Sequence, residues 1–282
     1  MEAKPARLQG FEERHAHVKG ARLRYYVGGA GEPLLLLHGL GGAASNWVEL
    51  APALARNRRV LIPDLPGHGR STSLPAAPTI DAFVDRIGLL AERERMLPAA
   101  VVGHSAGGLL GLRLALNRPG SVTALVLAAS AGISTGRRAA GLLLEALGLI
   151  RPARAIAPFR DLIVRTPRLR YAAFGWWGVS DPPALSAAAT AGFLAGPVLH
   201  TDTMTMGRAL VRDDPRVDLD RLSCPCLVLW GARDNWVLLE DAFEFARRLR
   251  APLRLIPDCG HLLIGERPDA CLHAIESFLA DH

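Results

Sequence analysis

The sequence predicts an α/β fold: a mostly parallel eight-stranded sheet, helices on both faces, and a helical insertion after the sixth strand. Three observations predict it. Short apolar runs recur without polar alternation, as strands covered on both faces require. Amphipathic segments of helical period lie between them. The stretch 131–220 contains no such run and reads instead as Ala/Leu-rich helix broken by prolines. A chain of 282 residues, 50% hydrophobic and 21% charged, has ample material for one large core with an inserted subdomain.

The first two strands are expected as a hairpin. His15 to Lys19 and Arg22 to Val27 alternate, and a Lys-Gly turn separates them. Leu34 to Leu37, Arg59 to Ile62, Ala99 to Val102, Val122 to Ala128, Cys226 to Trp230 and Leu253 to Ile256 supply the remaining six. Thr79 to Met96 opens Thr-Ile-Asp and repeats Ile80, Phe83, Val84, Ile87 and Leu90 at helical spacing. Ala106 to Leu116 and Arg267 to Leu279 are the other clear helices. Residues 1–130 and 221–282 are thus expected to form the core, with 131–220 as a helical cap. An insertion of this kind either covers a pocket and sets specificity or is a second structural domain with no catalytic role.

Charge and composition narrow the function. The net charge of +6 comes almost entirely from arginines scattered along the chain; the only lysines are Lys4 and Lys19. Without a basic block interleaved with aromatics, the expectation is a solvated surface and no nucleic-acid partner. The first twenty residues hold no apolar signal-peptide core, and no apolar run reaches the ~18 residues of a spanning helix. Ala139 to Ile150 is shorter and carries Glu145. Cys224, Cys226, Cys259 and Cys271 match neither a zinc spacing nor a disulfide framework. The expectation is a cytoplasmic protein acting on a small molecule, with no metal, cofactor or membrane partner; its oligomeric state is open.

The stretch Gly103-His104-Ser105-Ala106-Gly107-Gly108 follows one apolar run and opens a helix. The five-residue Gly-x-Ser-x-Gly pattern alone is weak; its strand-turn-helix context is what counts. A tight turn there strains the backbone at the serine and tolerates only small neighbours. The serine would sit at a helix N-terminus, where unpaired amides favour developing negative charge. Gly107, Gly108 and Gly111 each cost helix stability of ~1 kcal/mol relative to alanine, which points to close packing or a ligand nearby.

A serine hydroxyl needs a positioned general base. Among nine histidines, His261 alone lies in a loop that follows a strand and precedes the last helix. Its orienting acid should also stand at a strand end. Asp234 does, after Leu227 to Trp230; Asp258 shares the histidine's own loop and reads as loop-shaping, and Asp213 and Asp214 follow no strand. A histidine base acts when neutral, so activity should rise through about pH 6–7.

Ser105, Asp234 and His261 follow one another in the order used by the α/β-hydrolases, and the sequence resembles that family over nearly its whole length. His38-Gly39-Leu40-Gly41-Gly42 resembles the oxyanion loop, Asp64 to Ser71 the D-x-x-G-x-G-x-S turn, and Cys259-Gly260-His261 the histidine loop. The resemblance implies an oxyanion hole from the backbone amides of Leu40 and Ala106. It implies a bracing role for His38, with pocket lining as the alternative; His104, beside Ser105, could also line the pocket. The family often has proline where this chain has Leu238.

The nucleophile separates branches of the family. Haloalkane dehalogenases and epoxide hydrolases attack with aspartate, and hydroxynitrile lyases use a cap lysine that this insertion lacks. Carbon–carbon hydrolases often carry tryptophan after the histidine and asparagine before the serine; here these are Leu262 and His104. The expectation is hydrolysis of a carboxylic ester. The alternatives are carbon–carbon cleavage, a slow-turnover ligand-binding relative, or a cofactor-free oxygenase or perhydrolase. Trp176 and Trp177, with Phe159, Phe174 and Phe193, suggest an apolar substrate group, although such clusters also serve as core. Arg137 and Arg138 could meet an acidic substrate or simply face solvent.

Overall fold

A computed structural model describes residues 8–75, 78–134, 156–175, 178–199 and 202–282. Eight strands form one sheet: β1 (Phe11–Val18), β2 (Ala21–Gly28), β3 (Glu32–Leu37), β4 (Arg58–Pro63), β5 (Ala99–His104), β6 (Val122–Ala128), β7 (Cys226–Gly231) and β8 (Leu253–Ile256). Their spatial order is β1-β2-β4-β3-β5-β6-β7-β8. The hairpin pairs Val18 with Ala21 across Lys19–Gly20, and β2 runs antiparallel to β4. All pairs from β4 to β8 are parallel. The hairpin is longer than the sequence suggests. β1 begins at Phe11, because the exposed charged residues Glu12 and Glu13 weaken its apolar signal.

The continuous apolar runs arise from burial on both faces. Every residue of β5 and of β7 is buried, as are Leu34 to Leu37 of β3. β8, at the sheet edge, keeps only Ile256 fully buried. Helices α1 (Ala51–Leu54), α2 (Ile80–Arg93) and α3 (Ala106–Asn117) follow β3, β4 and β5. α2 packs on α3, and α1 packs on the C-terminal helix α10 (Pro268–Ala280). Right-handed crossovers put these two pairs on opposite faces. α8 (Leu239–Leu249) joins β7 to β8, and the short α9 (Leu263–Glu266) precedes α10.

Between β6 and β7 the described residues contain no strand. They form α4 (Arg160–Arg165), α5 (Arg170–Phe174), α6 (Ala187–Leu199) and α7 (Thr203–Arg212). Phe174 and Phe193 are buried core; Phe159 is exposed. The segment around Ala139 to Ile150, with Arg137 and Arg138, lies outside the described residues, as do Trp176, Trp177 and His200. Arg113 of α3 grips the end of the insertion, with bonds of 2.9 Å to Asp213 and 2.6 Å to Asp218.

The chain reverses its sheet order at β3. It leaves β3 for β4 on one side and returns across it to β5 on the other. In open α/β sheets the crevice at such a reversal, at the carboxyl ends of the strands, is where ligands bind. β3 runs out there into His38–Gly39, and β5, which ends at His104, runs into Ser105.

Candidate active site

Ser105 occupies the turn between β5 and α3 with φ 54° and ψ −119°. A non-glycine residue at positive φ stores strain, and the surroundings hold it there. Its N–H donates to Ala128 O at 2.9 Å, and its carbonyl accepts from Gly108 at 2.9 Å and Ala131 at 3.0 Å. The glycines make room for the turn. A Cβ on Gly103 would stand 2.3 Å from Gly107 O, and one on Gly107 would stand 2.2 Å from Leu37 O. At Gly111 a Cβ would meet Val101 Cγ1 at 2.9 Å, so this helical glycine serves close helix–strand packing.

His261 lies on the loop after β8 and is buried. Its Nε2 is 3.1 Å from Ser105 Oγ, and its Nδ1 is 2.8 Å from Asp234 Oδ2. The partners assign the protons: Nδ1–H donates to the carboxylate, and Nε2 accepts from the hydroxyl. Asp234 follows β7, and its carboxylate is fully covered. Oδ1 accepts the amides of Trp236 at 2.8 Å and Val237 at 3.0 Å, which leaves Oδ2 for the histidine. The competing acids are elsewhere. Asp258 is 62% exposed and paired with Arg233, Asp213 pairs with Arg113, and Asp214 with Arg216. Three residues far apart in the chain thus form one hydrogen-bonded line.

The loop after β3 abuts Ser105: a Cβ on Gly39 would stand 3.0 Å from Ser105 Cβ. A turn closed by Gly42 N–H to Gly39 O, 3.0 Å, places Leu40 at its corner. Ala106 is the first residue of α3, where helix amides have no partner within the helix. His38 donates from Nδ1 to Gly39 O at 2.8 Å and accepts Leu65 N–H at Nε2, 3.0 Å. Both ring nitrogens are therefore engaged with backbone, and burial pushes its pKa down to about 4. His104 donates from Nε2 to the carbonyl of His261, 2.9 Å; burial, then the neighbouring His261, lowers its pKa to about 3. Both are neutral rings that brace the two loops.

Several functional contacts have no clear signal in the sequence. Arg24, within the alternating stretch Arg22 to Val27, is buried and donates Nε to Asp64 Oδ2 at 2.6 Å. The Asp64 carboxylate also accepts the amides of Ala44 and Arg70, each at 2.8 Å, and so ties the end of β4 to the loop beside Ser105. Glu266 is buried under the histidine loop. Among the described residues no group of His, Cys, Asp or Glu is arranged to hold a metal ion, and no helix is long and apolar enough to cross a membrane.

Comparison with known proteins extends this likeness over most of the chain. The alpha/beta hydrolase family profile matches residues 34–274. The 2-hydroxymuconate semialdehyde hydrolase of Pseudomonas sp. (strain CF600) is 31% identical over 274 residues, covering 93% of this chain and 92% of that protein. The pimeloyl-acyl-carrier-protein methyl ester esterase of Aromatoleum aromaticum (strain DSM 19018 / LMG 30748 / EbN1) is 32% identical over 250 residues, 86% of this chain and 96% of that one. The crystal structure of a hydrolase from Pseudomonas aeruginosa PA01 superposes with a TM-score of 0.75 at 26% identity, covering 97% and 99% of the two chains. The match runs through the sheet, the insertion and the loops of Asp234 and His261, and the chain belongs to the alpha/beta hydrolase family.

Proposed function

We propose that the protein is a serine esterase that cleaves a carboxylic ester of a small to medium apolar substrate. One observation carries this reading: Ser105 Oγ, on a strained turn, lies 3.1 Å from a histidine whose other nitrogen is held at 2.8 Å by a covered carboxylate. His261 takes the proton as Ser105 Oγ attacks the ester carbon, and Asp234 keeps the imidazole in the accepting tautomer and stabilises its charged form. The amides of Leu40 and Ala106 receive the oxyanion; one such donor is typically worth ~2.7–4 kcal/mol in the transition state. His261 then protonates the leaving alcohol, and a water deprotonated by the same ring releases the acid and restores the serine.

The apolar substrate is supported by the aromatic content of the insertion: Trp176 and Trp177 in its sequence, and Phe174 and Phe193, which are buried. Hydrolysis of p-nitrophenyl esters of graded chain length, native protein against Ser105→Ala, tests the proposal. Turnover that vanishes in the mutant is expected, and its chain-length optimum measures the pocket. Likeness to the 2-hydroxymuconate semialdehyde hydrolase favours a second reading, carbon–carbon cleavage of an unsaturated oxo-acid. A folded protein that turns over no ester but cleaves such an acid would replace the first reading with this one.

A further inference from the structure

The mechanism leaves one buried carboxylate unused. Glu266 ends α9, is 3% exposed, and turns back under the histidine loop. Its oxygens are divided between two separate pieces of chain. Oε1 accepts the amides of Ser180 and Asp181 at 2.9 and 3.0 Å, and Oε2 accepts the amide of Gly260 at 2.8 Å. Ser180 and Asp181 belong to the insertion, between α5 and α6, whereas Gly260 is the residue before His261.

The same insertion segment touches the site twice more. Gly178 O accepts the N–H of Leu262, the residue after His261, at 3.0 Å. Gly178 N–H donates to Oδ1 of Asn235, the residue after Asp234, at 3.1 Å. The approach is close: at φ 90°, a Cβ on Gly178 would stand 3.3 Å from His261 Cβ, and one on Gly260 would stand 2.6 Å from Gly178 O. Residues 178–181 therefore form a strap across the histidine loop, bonded on both sides of His261 and beside Asp234.

We propose that Glu266 is a positioning residue: by joining the 178–181 strap to Gly260 it holds His261 at the distances from Ser105 and Asp234 that proton transfer needs. The proposal rests on the reading of His261 as general base. All three of its backbone partners are donors, so both oxygens must accept. Glutamine cannot substitute, because its NH₂ would face either Gly260 N–H or the Ser180–Asp181 pair. Burial pushes the carboxyl pKa up, and the amides of Gly260, Asp181 and Ser180 oppose that shift.

The test is Glu266→Gln, measured well below its unfolding temperature. A displacement of the base by a fraction of an ångström should lower kcat on p-nitrophenyl acetate by ~10–100-fold, with KM little changed. A role confined to stability would lower the unfolding temperature and leave kcat alone. The far-downfield proton resonance of His261 Nδ1–H, recorded without substrate, should shift or broaden. Native kcat and a native resonance in a folded Glu266→Gln protein would overturn the proposal. If that variant does not fold, Glu266→Asp decides, because it keeps the charge but is one methylene too short to reach both pieces of chain. Should neither fold, Asn235→Ala reads the same strap from its far end and must lower kcat and alter the resonance. Absence of ester turnover in native protein would sink the esterase reading alone, since the resonance needs no ester.

Discussion

At the scale of single residues, the site is built from polar groups that are buried and fully engaged. Asp234 divides its two oxygens between backbone amides and the histidine, so the effect of changing it is specific. Asp234→Asn keeps the volume but presents an amide to His261 and favours the wrong tautomer; kcat should fall by about 10⁴-fold with folding intact. A stopped assay against matched denaturation curves measures both. The Arg24–Asp64 pair makes a different prediction. Asp64→Asn would strand a buried guanidinium and should cost about 3–5 kcal/mol in urea unfolding. A loss below 1 kcal/mol would show that the pair is not buried as described.

At the scale of elements, the turn between β5 and α3 is possible because two backbones pass in contact. A Cβ at Gly107 would meet Leu37 O at 2.2 Å, an atom fixed in β3 that cannot rotate away. Gly107→Ala should therefore destabilise by at least about 3 kcal/mol and abolish activity. Gly120, in the turn after α3, is the control. It has φ 82° but nothing within 4 Å of its Cβ position, so Gly120→Ala should cost only about 1–2 kcal/mol of backbone strain. Chemical denaturation of the pair separates steric contact from dihedral preference; equal losses would refute the distinction. The same close approach explains why α3 carries three glycines despite their helix cost: Gly107 faces β3, Gly108 faces Ser130, and Gly111 faces β5.

For the whole molecule, the buried histidines link stability to pH. His38 and His104 have pKa values near 4 and 3 in the folded protein, against 6.5 when exposed. The unfolded chain thus binds more protons than the folded one between those values, and stability rises with pH across that window. Their contribution is complete above pH 6.5 and falls as pH drops toward 4, by about 1.4 kcal/mol per unit for each ring. Urea unfolding at pH 5.5 should give a free energy about 2–3 kcal/mol below that at pH 7.5. His104→Asn should remove about 1 kcal/mol of that difference. A His104→Asn protein that keeps the full native difference would mean that this ring is not held neutral.

The strands, their order along the chain and the loops bearing Ser105, Asp234 and His261 were legible because each is a local property. Two-sided burial writes itself as an apolar run, and a strand-to-helix turn writes itself as small residues around a serine. The difference between Asp234 and Asp258 is also local, since Asp234 follows the seventh strand and Asp258 lies in the histidine's own loop. What the tertiary structure alone decided are pairings between distant residues. His104 holds the carbonyl of a histidine 157 positions away, Arg24 turns inward to an aspartate 40 positions away, and Glu266 reaches back 86 positions to the insertion. No periodicity encodes such contacts. A buried charge looks like any surface charge in the sequence, and only the folded neighbourhood supplies the partners that make its burial favourable.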